Sequence, residues 1–271
     1  MIEATKIEKY RYERKYYLAN NRLEELRIRL KPFVEPDIYT GLNEFGISEY
    51  TVRSIYYDTP FMKYYDEKKE GVELRNKFRI RVYDNEQPDS VAFLEIKKKI
   101  GNRIGKHRAK IPYSTLNEVL QLGNLEQHLY NKTHLYDGQK FLYHFYKNSL
   151  QPVNLVVYER EAYMGKFDKG VRITFDKNVR TTIYPQLDKM YSEHGAKYLA
   201  PEHFVLEIKY HDEIPRWALS IIEEFKLNLK AISKYADGLD NHIMNTSHRF
   251  SPVSYSRIGL YKPLTFATDH E

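Results

Sequence analysis

Along much of this chain, short runs alternate charged and apolar side chains with a period of two. Residues 76–85, NKFRIRVYDN, set Lys77, Arg79 and Arg81 on one face and Phe78, Ile80 and Val82 on the other. That period is the geometry of a β-strand, in which alternate side chains share a face. Similar runs occupy 8–18, 50–58, 72–83, 90–99, 104–113, 153–164, 171–180 and 203–210. Turn-rich connections such as DNEQPDS (84–90) and KKIGNRIG (98–105) predict hairpins, so the sheet is expected to be largely antiparallel.

Parity sorts the charges. One face groups Arg11, Glu13 and Lys15; then Arg75, Lys77, Arg79 and Arg81; then Glu95, Lys97 and Lys99; then Lys106, Arg108 and Lys110. Later runs add Tyr158 with Arg160, Arg172 with Thr174 and Asp176, and Val205 with Glu207 and Lys209. A half-solvated sheet, apolar inward and polar outward, is the common explanation for any one such strand. Two features favour another arrangement. Arginine is as frequent as lysine among these charges, and both are mixed with isolated glutamates. Amphipathic helices are also available to cover the apolar face. With helices outside a curved sheet, the charged faces turn inward, and eight strands can close into a barrel. Such an interior is costly unless its charges are paired, hydrated or ligand-bound. Arginine forks suit phosphate, and a few carboxylates suit Mg²⁺ or Mn²⁺ shared with phosphate oxygens. The expected fold is α+β: a closed antiparallel eight-stranded β-barrel, or tunnel, with a charged interior, flanked by amphipathic helices.

Helical periodicity falls at 20–31, 114–122, 138–149 and 215–228. The first starts at Asn20 or Asn21 as a cap and aligns Leu23, Leu26 and Leu30; the last opens at Pro215 and carries Trp217, Leu219, Ile221, Ile222 and Phe225. No boundary interrupts residues 1–245, read as a single domain; 246–271 reads as an irregular tail.

Composition excludes several functions. The net charge is +6, and no element carries the basic cluster of a general nucleic-acid binder, so no nucleic-acid partner is expected. There is no cysteine, which removes thiolate chemistry, and a reducing compartment is compatible. The amino terminus lacks a signal-peptide core and no run is long enough to span a bilayer, so a cytoplasmic location is expected, with a membrane-bound partner compatible. The ten histidines lack metal-motif spacing, and neither a P-loop nor a nucleophile elbow is present.

In order, RYERKYYL (11–18), RSIYYDT (53–59), FRIRVYD (78–84), FLEIKKK (93–99), YERE (158–161), GVRITFD (170–176), VLEIKY (205–210) and SKYADGLD (233–240) resemble the VTC (vacuolar transporter chaperone) polyphosphate-polymerase domain of the triphosphate tunnel metalloenzyme superfamily. The resemblance implies a tunnel, a divalent metal, Mn²⁺ or Mg²⁺, and transfer of the ATP γ-phosphate onto polyphosphate. It places the family's phosphate-binding basic residues at Lys15, Arg79, Arg81, Lys97, Lys106, Arg160 and Arg172, with Arg108 a same-face neighbour, and the lysine of its SKY element at Lys234; of these, Lys15, Lys97 and Lys234 are expected to be catalytic. Glu207 is the implied metal ligand. Glu95 serves either as a metal ligand or as a salt-bridge partner of the arginines. The opening ExExK pattern of related tunnel enzymes is reduced to Glu13 and Lys15, with Arg11 at the first acidic position, which favours the VTC branch and leaves a metal role for Glu13 open. A triphosphatase of the same fold, or a non-catalytic polyphosphate- or nucleotide-binding module, are the alternatives. The SPX domain and membrane segments found with eukaryotic VTC proteins are not seen in this sequence.

Overall fold

The computed structural model describes residues 10–42 and 46–246. All eight expected runs form strands: β1 (Arg11–Ala19), β2 (Ser48–Asp58), β3 (Leu74–Tyr83), β4 (Val91–Ile100), β5 (Arg103–Pro112), β6 (Gln151–Gly165), β7 (Arg172–Ile183) and β8 (His203–Tyr210). Every pairing is antiparallel, in the order β7-β8-β1-β5-β4-β3-β2-β6, and β6 also pairs with β7. The result is a ring of eight strands in which each has two neighbours. Three short strands, Val34–Pro36, Gly41–Leu42 and Lys197–Tyr198, pair with β6, β2 and β7.

Among the described residues, six α-helices flank or enter the ring: α1 (Leu23–Leu30), α2 (Lys63–Lys69), α3 (Leu116–Leu122), α4 (Leu135–Lys147), α5 (Arg216–Glu224) and α6 (Lys234–Thr246). The four expected helices are α1, α3, α4 and α5. Asn20 does not cap α1 by its side chain; it donates to the Pro201 carbonyl instead. Helices α2 and α6 were not foreseen. Helix α2 is rich in charge and tyrosine and carries no apolar stripe; α6 has only a short one, Tyr235, Ala236 and Leu239, set among Lys234, Asp237 and Asp240. The expected irregular tail lies, beyond Thr246, outside the described residues.

The apolar faces of the strands are buried under helices, as parity requires. Phe78, Ile80, Leu94, Ile96, Ala109 and Ile111 pack with Leu116, Val119 and Phe141 of α3 and α4. Ile173, Phe175, Phe204, Leu206 and Ile208 pack with Leu26 of α1 and Ile221 of α5. Gly138 of α4 lies so close to β5 that an added Cβ would stand 2.9 Å from the Ala109 Cβ. A third cluster joins Val52, Tyr56, Val156 and Tyr158, which share the polar parity of their strands, to Tyr235 and Leu239 of α6. Helix α6 therefore packs on the inner face, and the segment before it crosses one end of the ring: Lys15 Nζ donates to Ile232 O at 3.2 Å and Lys77 Nζ to Ser233 Oγ at 2.7 Å.

Candidate functional site

The charges of β1 and β3–β8 meet one another across the inner face. Register explains why. Arg79 stands opposite Glu95, which stands opposite Arg108; Lys15 stands opposite Glu207; Arg160 stands opposite Asp176. Cross-strand neighbours of opposite charge are within direct reach in an antiparallel pair.

Glu95 is fully buried and divides its two oxygens between guanidinium groups, Oε2 from Arg79 Nε at 2.6 Å and Oε1 from Arg108 Nε at 2.5 Å. Lys106 lies 3.8 Å and Arg81 4.0 Å from it. Burial pushes this carboxyl up, but Arg79, Arg108 and Arg81 together outweigh that and hold it well below the usual carboxylate range. Arg81 also donates to Ser54 Oγ at 2.9 Å and Tyr158 Oη at 3.3 Å, and Arg79 to Tyr56 Oη at 3.0 Å. This geometry makes Glu95 the hub of an arginine cluster, which favours its salt-bridge reading.

A second cluster centres on Glu207. Lys209 lies at 2.6 Å, Lys234 at 3.0 Å, Lys15 at 3.4 Å and Arg160 at 3.6 Å from its oxygens. Arg160 forks onto Asp176 at 2.6 and 2.7 Å, and Lys234 reaches the same carboxylate. Glu13 pairs with Lys15 at 3.1 Å and Lys97 at 2.8 Å. Burial raises both Glu13 and Glu207, yet their lysine neighbours keep each well below the ordinary carboxylate value. Asp176 and Lys209 were sorted onto the charged face by parity without being assigned a role; their inward parity was the signal. Tyr158 was likewise sorted onto the charged face beside Arg160 without a role, whereas Ser54 and Tyr56, which complete the polar rim of the arginine cluster, were not singled out.

Arg172 stands apart from both clusters, with Nη2 at 2.7 Å from Asp37 and 3.2 Å from the Tyr50 hydroxyl. Its Nε and the Thr174 hydroxyl are buried without a hydrogen-bond partner among the described residues. Buried polar atoms in that condition are costly and mark a place where a ligand oxygen or water belongs. Lys77 is a cation without a carboxylate among its strongest influences: burial, then Lys15, Lys97, Lys68 and Arg75, push its ammonium well below the ordinary lysine value.

Among the described residues no three His, Cys, Asp or Glu side chains converge as a metal cage. Glu13 and Glu207, both joined to Lys15, are the carboxylates whose donor chemistry fits a hard cation that takes its remaining oxygens from a phosphate substrate.

The fold and site define an α+β domain whose strand ring carries a charge-compensated inner face. The VTC domain matches residues 10–242, and the chain belongs to the VTC domain family. No curated protein sequence matches it. Among solved structures it is similar to the PH1819 protein of Pyrococcus horikoshii OT3, at 17% identity over 85% of this chain and 99% of that one, with a TM-score of 0.43. It is also similar to the Mimivirus capping enzyme triphosphatase, at 13% identity over 81% and 90% of the two chains, with a TM-score of 0.33. No helix among the described residues is long and apolar enough to cross a membrane.

Proposed function

We propose that the ring acts as a closed tunnel-shaped barrel and that the protein is a metal-dependent polyphosphate polymerase, transferring the γ-phosphate of cytoplasmic ATP to a growing polyphosphate chain. The observation that carries this reading is the inner face itself. Arg79, Arg108 and Arg160 are held in fixed positions by buried carboxylates and Arg81 by the Ser54 and Tyr158 hydroxyls, while Arg172 Nε and Thr174 Oγ1 have no hydrogen-bond partner among the described residues. An array of pre-oriented donors suits a phosphate chain, because it stabilises developing charge without reorganising when the reaction occurs.

In this mechanism no side chain is a nucleophile. A terminal phosphate oxygen of polyphosphate, already ionised, forms a bond to the γ-phosphorus. The bond from that phosphorus to the β–γ bridging oxygen breaks, and ADP leaves with the electron pair. Arg79, Arg81, Lys106, Arg108, Arg160 and Arg172 bind the phosphates. Lys15, Lys97 and Lys234 neutralise charge at the transferred group and guide the acceptor. Glu207, with Glu13, would hold Mn²⁺ or Mg²⁺, which supplies charge neutralisation on the triphosphate when bound. Glu95 positions Arg79 and Arg108.

The test is incubation of pure protein with ATP and Mn²⁺, with products separated on a gel. Polyphosphate is the expected product. Free phosphate alone would make the protein a triphosphatase, and no turnover with retained binding would make it a binding module. Arg79→Ala and Glu207→Gln should each lower the rate roughly a hundredfold if they meet transition-state charge. Near-wild-type rates in both would remove these roles.

A further inference from the structure

At the end of β3 and the start of β4, away from Ser233 and Lys234, a cavity of about 300 Å³ opens beside the arginine cluster. Its strand wall is made by Tyr83, Phe93 and Lys110, and its loop wall includes Asp84, Asn85 and Asp89. The two aromatic rings stand edge to face, with centroids 5.5 Å apart. Arg108 ties this wall to the phosphate-binding face: its guanidinium lies 4.4 Å from the Phe93 ring, its Nη2 donates to the Tyr83 hydroxyl at 3.2 Å, and its Nε holds Glu95.

The lining changes character within one side chain's length. On the inner face, cations surround each carboxylate. In the cavity, two aspartates and two amides, Asn85 and Gln87, line the space with the aromatic rings, and Lys110 is the one basic residue among the lining. Lys110 itself lies 4.7 Å from the Tyr130 ring. A polyphosphate chain would meet carboxylates here, which repel it. Sugar hydroxyls and base N–H groups would find acceptors, and a flat ring would find aromatic neighbours. The hairpin also holds its shape: Thr51 N donates to Asp84 Oδ1 at 2.9 Å, and Gln87 N to Ser90 Oγ at 2.8 Å.

We propose that this cavity is the subsite for the nucleoside end of a nucleoside triphosphate, with the phosphates running from Arg108 onto Arg81 and Arg79. This rests on the phosphate-binding reading of the inner face. It adds that the phosphate donor is recognised through its base and sugar, at one defined end of the ring, by residues that inorganic polyphosphate does not use.

Isothermal titration of ATP and of inorganic tripolyphosphate, each with Mg²⁺, tests it on the wild type, Phe93→Ala and Asp89→Ala. Phe93→Ala should weaken ATP roughly tenfold, the size of one lost base–aromatic stack, and leave tripolyphosphate within about twofold. Asp89→Ala, on an exposed loop, should weaken ATP by about threefold and leave tripolyphosphate unchanged or tighter. Equal shifts for both ligands, or no shift for ATP in either variant, would overturn the subsite while leaving the phosphate site standing. Failure of both ligands to bind the wild type would remove the phosphate reading and the subsite together.

Discussion

Glu95 shows how one residue couples stability to ligand binding. It is the common counterion of Arg79 and Arg108, and its replacement leaves two inner-face guanidinium groups facing each other. Breaking a buried pair by removing one partner costs about 3–5 kcal/mol. Glu95→Gln is expected to destabilise by that order in urea unfolding, and tripolyphosphate should recover much of the loss by supplying the missing negative charge. A variant as stable as wild type would show that the cluster is hydrated rather than paired. Lys77 gives the pH dependence. Between its lowered pKa and the ordinary lysine value near 10.4, the folded free protein binds fewer protons than the unfolded chain, so this residue makes stability rise with pH across that window. A polyanion favours the ammonium form. Binding therefore takes up a proton, and affinity falls as pH rises above the lowered pKa of Lys77 in the free protein. Titrations in buffers of different ionisation enthalpy should show this uptake, and Lys77→Met should reduce it; unchanged uptake in the variant would place the titration elsewhere.

At the scale of elements, α6 is what the strand pattern could not foretell. The Tyr235 hydroxyl donates to Asp58, whose carboxylate also accepts Thr59, Tyr64 and Tyr65 N–H groups at the start of α2. Asn154 Nδ2 donates to Tyr235 O at 3.0 Å, and the Tyr235 ring stacks on Tyr56 with centroids 5.3 Å apart. Asp58 thus ends β2 and also anchors the helix that brings Lys234 to Glu207 and Asp176. Gly238 permits the close approach: a Cβ there would stand 2.8 Å from Asn154 Nδ2 and from Thr181 Cγ2. Gly238→Ala should cost about 1–3 kcal/mol by overpacking and lower turnover through displacement of Lys234, measured by unfolding midpoint and by kcat. A wild-type kcat would separate α6 placement from catalysis. The strands themselves were legible because alternation over whole strands is a strong signal. Helices α2 and α6 were not: α2 has no apolar stripe, and the short one of α6, Tyr235, Ala236 and Leu239, finds its partners on distant strands.

Over the whole molecule, an inner face of this kind should make the ligand a stabiliser. A phosphate chain present at a hundred times its Kd should raise the unfolding free energy by about 2.7 kcal/mol if it binds the native state alone. The thermal midpoint should rise with tripolyphosphate, and the effect should weaken as salt screens the charges. No rise at low salt would mean that the paired face is structural only. The division between sequence and tertiary structure is clear for this protein. Alternation determined the strands and which face of each is charged, because the two-residue repeat is a local property of extended backbone. The candidate cations and carboxylates followed from the same parity. Which charge meets which was decided by register and by β6–β7 pairing, which bring together residues far apart in sequence. So Glu95 became the partner of two arginines, Asp176 and Lys209 joined Glu207, and α6 packed Tyr235 inside the ring. Those outcomes depend on the cost of leaving charge unpaired away from water, and only the assembled fold sets that cost.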